Sequence, residues 1–306
     1  MNITEQYSYQ DASDRSGALY LVGTPIGNLE DMTYRAVRTL TEADIIAAED
    51  TRETRKLLSH FEIHGKTLYS YHEHNKQASG PELVRIMQEG KRIALVSDAG
   101  LPAISDPGAD LVRMTIEAEL PVIPIPGPNA ALSALIASGL PTERFTFAGF
   151  LPRDRKRAEL MLASLTAEAG TLLFYESPHR VAKTLERIVN TFGANRRMTL
   201  ARELTKRYEH FVRGNVSECL AYVLEHPPLG ECCLVVEGAS EDETAAAEAS
   251  QAWWQPLSEE EHVAHYEREQ HISRKDAMKL AAKDRGVSRR DIYQALLQME
   301  KERQGD

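Results

Sequence analysis

The residues able to do chemistry in this chain gather where apolar runs end. "RIALV" leads into "VSDAGLPAISDPG" (96–108), so Asp98 stands where an apolar run breaks into glycine and proline. "DIIAA" (44–48) ends on Glu49 and Asp50, with Arg52 close behind, and "TLLFYES" (171–177) carries Glu176, with His179 and Arg180 just beyond. "RELTKRYE" (202–209) brings Arg202, Glu203 and Lys206 to another such end. Carboxylates at such turns can accept a proton and cations can hold an anion. Ligands of open α/β sheets bind in the crevice at the carboxyl ends of the strands, so several such turns together suggest one shared cleft. Each also has a plainer reading. Asp50 or Thr51 suits a helix N-cap with Glu53 in the first turn, and Asp106-Pro107-Gly108 suits the turn that starts the next helix. The basic run Arg153, Arg155, Lys156 and Arg157 in "FLPRDRKR" (150–157) reads either as a solvated helix start or as a phosphate contact. The His-x-His of "YHEHN" (71–75) lacks a third ligand at convincing spacing, and no metal is expected.

The elements that must position these residues follow from periodicity. From residue 18, short β-rich runs alternate with amphipathic stretches of helical length: "ALYLV", "DIIAA", "TLYSY", "RIALVS" and "PVIPI", each of the first four followed by a helix-like segment. That alternation predicts βαβ units and a largely parallel sheet. "PGPNAALSALIASGLP" (126–141) predicts a hinge and then a helix, with Asn129 as N-cap and Gly139 as its terminator. Beyond it, "RFTFAGF", "TLLFYES", "RMTLARE", "YEHFVRG" and "CCLVVEG" predict a strand-rich second domain with a partly antiparallel sheet. The expected division is a loose tail over 1–16, an α/β domain over 17–127, a second over 128–240, an Ala/acidic linker over 241–257, and a helical domain over 258–306. In that last part Ser273 and Ser288 each precede a helical run, with Gly286 in the turn between them, the outline of a helix-turn-helix.

Bulk properties narrow the class. A composition 42% hydrophobic and 27% charged fits a soluble globular chain, and no apolar run approaches a membrane span. Residues 1–16 lack the basic and apolar regions of a secretory signal. Cys219, Cys232 and Cys233 are the three cysteines; the adjacent pair would point to opposite faces of a strand, which predicts core packing in a reducing cytoplasm. The net charge of −10 argues against indiscriminate nucleic-acid binding, yet residues 271–299 hold seven Lys/Arg against three Asp/Glu. The first turn, "GTPIGN", is neither a dinucleotide fingerprint nor a phosphate loop, and Pro25 removes an amide that a phosphate cradle would use.

Six ordered segments, "LYLVGTPIGNLEDMTYRA", "AAEDTR", "VSDAGLPAISDPG", "PIPGPNA", "GFLPR" and "FYESPHR", resemble the bacterial ribosomal RNA small-subunit methyltransferase I family. That family is similar in fold to the tetrapyrrole methylases. The resemblance implies a two-domain α/β fold of tetrapyrrole-methylase type, with a parallel-sheet N-terminal domain, a mixed-sheet second domain and a small C-terminal helix-turn-helix domain. It implies methyl transfer from S-adenosylmethionine to the 2′-hydroxyl of a cytidine in 16S rRNA. The partner would be 16S rRNA or the small ribosomal subunit, the enzyme a homodimer, and no membrane would be involved. The cofactor would lie against Gly23, Pro25, Gly27, Asp98, Ala99, Gly100, Pro102, Ile104, Ser105, Asn129 and Tyr175. The wider tetrapyrrole methylases carry G-x-G-P-G-D in the first turn; here the second glycine is Pro25 and the acidic residue Asn28, which favours an RNA methylase branch.

A ribose hydroxyl is a poor nucleophile until its proton is accepted. The unranked candidates are Glu49, Asp50, Asp98 and Glu176, with Lys206 possible if burial depresses its pKa. Arg52, Arg55, Arg153, Arg155, Lys156, Arg157, His179 and Arg180 would hold the RNA around an extruded nucleotide. Two other classes compete. A small-molecule tetrapyrrole methylase would have no use for a basic C-terminal domain, and a ligand-sensing nucleic-acid-binding regulator would transfer no methyl group.

Overall fold

Apolar strands closed by capped helices build the first of two compact units, Met1–Gly238. This computed structural model describes residues 5, 6, 17–251 and 253–304. The expected tail over 1–16 lies outside the described residues except for Glu5 and Gln6. The Gln6 side-chain amide donates to the Val122 carbonyl at 2.9 Å and its oxygen accepts from the Val122 N–H at 2.8 Å.

The first sheet is formed by β1 (Ala18–Val22), β2 (Ile45–Ala48), β3 (Thr67–Ser70), β4 (Arg92–Val96) and β5 (Val122–Ile125). Its connections are α1 (Tyr34–Glu42), α2 (Thr51–His60), α3 (Lys76–Gln88) and α4 (Gly108–Glu117). All pairings are parallel, in the order β3-β2-β4-β1-β5. Both faces are covered, which is why the strands read as continuous apolar runs. Ile46, Ala94 and Val96 pack with α1 residues such as Leu40 on one face, while Ala47, Ile93 and Leu95 pack with Leu83, Met87 and Leu111 on the other. The chain starts at β1, moves outward to β3, returns through β4 and finishes on the far side of β1. That reversal opens a crevice at the carboxyl ends of β4 and β1, with the end of β2 beside it.

The second sheet combines β6 (Phe145–Phe150), β7 (Thr171–Glu176), β8 (Arg197–Arg202), β9 (His210–Asn215) and β10 (Cys232–Val236), with helices α5 (Ala130–Ser138), α6 (Arg155–Ser164), α7 (Val181–Phe192) and α8 (Val216–Glu225). Its order is β6-β7-β10-β8-β9; β6 and β7 are parallel and the other pairs antiparallel, the mixed sheet expected. Asn129 caps α5 by accepting from the Leu132 N–H at 2.9 Å, and Gly139 ends it at φ 80°. Cys232 packs into the core beneath α7 and α8, and Cys233 into the one beneath α5. Both thiols are free, and burial pushes Cys232 up to about 11.

The second unit, Ala239–Asp306, holds α9 (Glu241–Gln251), α10 (Glu259–Gln270), α11 (Arg274–Asp284) and α12 (Arg289–Gln304). The stretch read as an Ala/acidic linker is therefore helical over Glu241–Gln251. Missing apolar periodicity says only that no face is buried; alanine is the strongest helix former, and Glu241, Asp242 and Glu243 favour the first turn. Ser273 caps α11 by accepting from the Asp276 N–H at 3.3 Å, and Ser288 accepts from the Asp291 N–H at 3.2 Å. Between them Gly286 takes φ 65° in the turn. Val263, Ala277, Met278, Ala281, Ile292 and Leu296 form the core of this unit. Among the described residues no helix is long and apolar enough to cross a membrane.

Candidate active site

At the crevice, inside the first unit, lies a cavity of about 530 Å³. Its wall includes Glu49 after β2, Ser97–Leu101 and Ile104–Asp106 after β4, Asn129 and Ala130 at the start of α5, and Phe150, Tyr175, Glu176 and Glu231 from the second sheet. The β4 loop is held from both sides. Thr24 and Gly100 exchange backbone hydrogen bonds at 2.9 and 3.1 Å, and the Thr24 hydroxyl donates to the Ser97 carbonyl at 3.2 Å. The Asp106 carboxylate accepts from the N–H groups of Ala103 at 2.9 Å and Gly108 at 2.7 Å. These bonds fix Ala103 at φ 69° and Ser105 at φ 63°, left-handed positions that L-residues occupy only under such constraint. As expected, α4 begins directly after Asp106-Pro107.

Asp98, Ala99, Gly100, Ile104, Ser105, Asn129 and Tyr175 all line the cavity, whereas Gly23, Pro25, Gly27 and Pro102 do not. The glycines have other reasons to be there. A Cβ on Gly23 would sit 2.8 Å from the Gly127 Cα, so these residues bring the β1 and β5 turns into backbone contact. A Cβ on Gly27 would lie 2.4 Å from the Lys206 Cγ, so that turn makes room for a side chain of the protein itself. Ile26, between them, is the residue of this turn that reaches the cavity. Gly23→Ala is expected to cost about 1–3 kcal/mol through overpacking, read as a lowered thermal midpoint.

The candidate proton acceptors separate sharply. Burial raises the Glu49 pKa, and the neighbouring charges of Asp98 and Asp106 add to the rise. Asp98 lines the cavity while its Oδ1 accepts from the Asp50 N–H at 3.0 Å. Asp50 is the N-cap of α2, accepting from the Arg52 N–H at 2.8 Å; hydrogen bonds from Arg52 hold its carboxyl well below the usual carboxylate range. A carboxylate so stabilised is a poor base. Glu176 touches the cavity wall, but its side chain is fully buried and already accepts from the Ser177 N–H and the Thr184 hydroxyl, both at 2.8 Å. Lys206 fails the condition set for it. Burial would lower its pKa, but hydrogen bonds to Glu203 at 3.0 Å and Glu231 at 3.2 Å outweigh that and raise it.

The cations also divide. Arg153, Arg155, Lys156 and Arg157 are exposed around the start of α6, where Asp154 caps the helix by accepting from the Arg157 N–H at 2.9 Å. Arg55 and His179 are exposed as well, whereas Arg52 and Arg155 are exposed but paired, with Asp50 at 2.6 Å and with Glu159 at 2.7 Å. Arg180, expected on RNA, turns inward instead. It donates to the Leu151 carbonyl at 2.6 Å and lies 3.3 Å from the Glu176 carboxylate, tying the segment after β6 to the end of β7. Its sequence position beside Glu176 carried no sign of this, because Leu151 is 29 residues away. Phe150, Leu204 and Glu231 were not anticipated at the site; a terminal aromatic on β6 just before the basic run was the one available signal.

The family Tetrapyrrole (Corrin/Porphyrin) Methylases matches residues 18–220, which include the crevice loops after β2 and β4 and both sheets up to α8. The chain belongs to this family. Within it, ribosomal RNA small subunit methyltransferase I of Halalkalibacterium halodurans is 54% identical over 288 residues, covering 94% of this chain and 97% of the relative. The protein of the same name from Bacillus subtilis is 48% identical, covering 96% and 98%, and that of Escherichia coli O157:H7 is 44% identical, covering 95% and 99%. Among solved structures of the methylase fold, uroporphyrin-III-C-methyltransferase from Thermus thermophilus superposes with a TM-score of 0.52 at 21% identity, covering 76% of this chain and 97% of that one. Cobalt precorrin-4 methyltransferase gives 0.55 at 16%, covering 72% and 94%. At such identities these structures establish the shared fold.

Proposed function

We propose that this methyltransferase uses S-adenosylmethionine to methylate the ribose 2′-hydroxyl of a cytidine in 16S rRNA of the small ribosomal subunit. The observation that carries the reading is the 44–54% identity, over nearly the whole of both chains, to relatives named ribosomal RNA small subunit methyltransferase I. The cavity chemistry supports it. Its lining contains Glu49, Asp98, Asp106, Glu176 and Glu231 but no Lys, Arg or His, which suits a cationic sulfonium and a neutral nucleoside. The same lining is a poor host for a tetrapyrrole bearing several carboxylates. S-adenosylmethionine, when bound, supplies an electrophilic methyl group for in-line displacement. Asp98, Ala99, Gly100, Ile104, Ser105, Asn129 and Tyr175 are the residues that would hold it.

The chain's own residues then do three things. The fixed β4 loop and the cap of α5 orient both reactants, which for a displacement of this kind supplies much of the acceleration. Glu49 accepts the hydroxyl proton, since its environment pushes its pKa toward the operating pH. Arg153, Arg155, Lys156, Arg157 and His179 contact phosphates, and the helix-turn-helix segment 271–299, with seven Lys/Arg against three Asp/Glu, adds a second RNA contact. The reading also carries a cytoplasmic setting and a homodimer; Leu132 and Ile136, one turn apart on α5 and 44% and 78% exposed, offer apolar surface for a second copy.

Tritium transfer from labelled S-adenosylmethionine to small subunits lacking the modification tests the reaction, and no label in RNA despite cofactor binding would favour a ligand sensor. In the same assay R153A/R155A/R157A is expected to weaken subunit binding and flatten its salt dependence, with cofactor affinity by calorimetry unchanged. Lost cofactor affinity would sink the assignment of these arginines.

A further inference from the structure

Strict alternation along β6 would place Phe147 on the α5 side of the sheet and Ala148 and Phe150 on the opposite, fully packed side. Phe147 does pack beneath α5, beside Tyr175, and Ala148 does pack into the opposite core. A register shift between Phe147 and Gly149 then breaks the alternation, with Gly149 at φ 66°. After it Phe150 pairs with Tyr175, on the cavity side of the sheet. Bulges of this kind re-aim a side chain, often next to an active site.

The result is a large aromatic ring 54% exposed on the wall of a cavity. It is also held in place. Its ring centroid lies 5.6 Å from that of Tyr175, which packs against Phe147 at 5.0 Å and whose hydroxyl accepts the Ala131 N–H at 3.2 Å. Immediately downstream, Arg153, Arg155, Lys156 and Arg157 stand exposed. A rigid aromatic face beside a cluster of cations is the combination by which proteins hold an unstacked base and its phosphates.

We propose that Phe150, braced by Tyr175, is the stacking surface that receives the nucleobase of the nucleotide being methylated. The proposal rests on the RNA-methylation reading above and names the contact that would recognise the target base. A nucleotide drawn out of its stack loses aromatic contact on both faces, and Phe150 restores one of them without reading sequence.

The test uses the full chain with F150A, F150L and F150W, labelled S-adenosylmethionine, and small subunits lacking the modification. F150A is expected to lower kcat/KM for subunits by roughly 10- to 100-fold, the scale of one base–aromatic stack, while cofactor affinity by calorimetry stays at the wild-type value. F150W should remain within a few-fold of wild type, and F150L should fall with F150A because it supplies bulk without a π face. Unchanged thermal midpoints would show that the losses are not misfolding. Cofactor affinity lost in F150A would overturn the proposal by placing the ring on the methyl donor. A fall in molecular mass would overturn it by placing the ring in a subunit interface. Wild-type kinetics in F150A beside an active wild-type enzyme would sink the stacking surface alone, whereas an inactive wild-type enzyme would sink the RNA-methylation reading and this proposal with it.

Discussion

Glu49→Gln is expected to lower kcat by roughly 10²- to 10⁴-fold, the range a positioned general base contributes, while leaving cofactor affinity near the wild-type value. Asp50 is tied up as a helix cap, Glu176 is enclosed with its hydrogen-bond partners, and Lys206 is held as a cation between two glutamates. Glu49 has a place in the cavity wall and a pKa raised by burial and by the charges of Asp98 and Asp106. The sign of the pH dependence follows. Below the raised pKa the carboxyl is protonated and cannot accept a proton, so the rate should climb as pH rises through a value above that of an ordinary glutamate. Glu49→Gln should lose that limb. Stability should run the other way. A carboxyl whose folded pKa exceeds its unfolded one binds more protons when folded, so it weakens the fold as pH rises through both values. Glu49→Gln removes that penalty and should raise the thermal midpoint at neutral pH. A variant with wild-type kcat and an intact acid limb would pass the role to Asp98, with Asp98→Asn as the next variant.

Arg180→Ala is expected to destabilise the first unit by about 2–3 kcal/mol, lowering its thermal midpoint by roughly 5–10 °C. Removing the guanidinium leaves the Glu176 carboxylate, whose side chain has no solvent exposure, without its cationic neighbour. It also frees the Leu151 carbonyl at the start of the segment that carries the basic run. The figure sits below that for a wholly buried pair because the Arg180 side chain is 28% exposed. The exposed Arg153, Arg155 and Arg157 should show the opposite pattern, weaker subunit binding with no loss of stability. An Arg180→Ala protein as stable as wild type but defective on subunits would return Arg180 to the RNA contacts.

Much of the fold was legible because its signals are local. The apolar runs β1 to β5 alternate with helical stretches, and a parallel sheet is the arrangement that covers both faces of such runs. Asn129, Ser273 and Ser288 each cap the helix that follows, as their side chains and neighbours predict. Asp50 does the same, which settles the plainer of its two readings. The stretch over 241–251 was less legible, since helix propensity and burial periodicity are separate signals and this stretch carries only the first.

The amino-acid sequence by itself determined the strand-end loops, the caps and the pool of residues from which a site could be made. A strand end, a cap or a turn depends on a few neighbouring residues, so its chemistry is written within the segment. The tertiary structure alone decided where the members of the pool stand and what surrounds each of them. Asp98 and Asp106, some fifty residues from Glu49 in the chain, raise its pKa; Leu151 draws Arg180 inward; and Lys206 folds over Gly27. A one-residue bulge turns Phe150 from the packed core to the cavity. Burial, charge pairing and side-chain direction depend on groups brought close in space by folding, and no spacing along the chain encodes them.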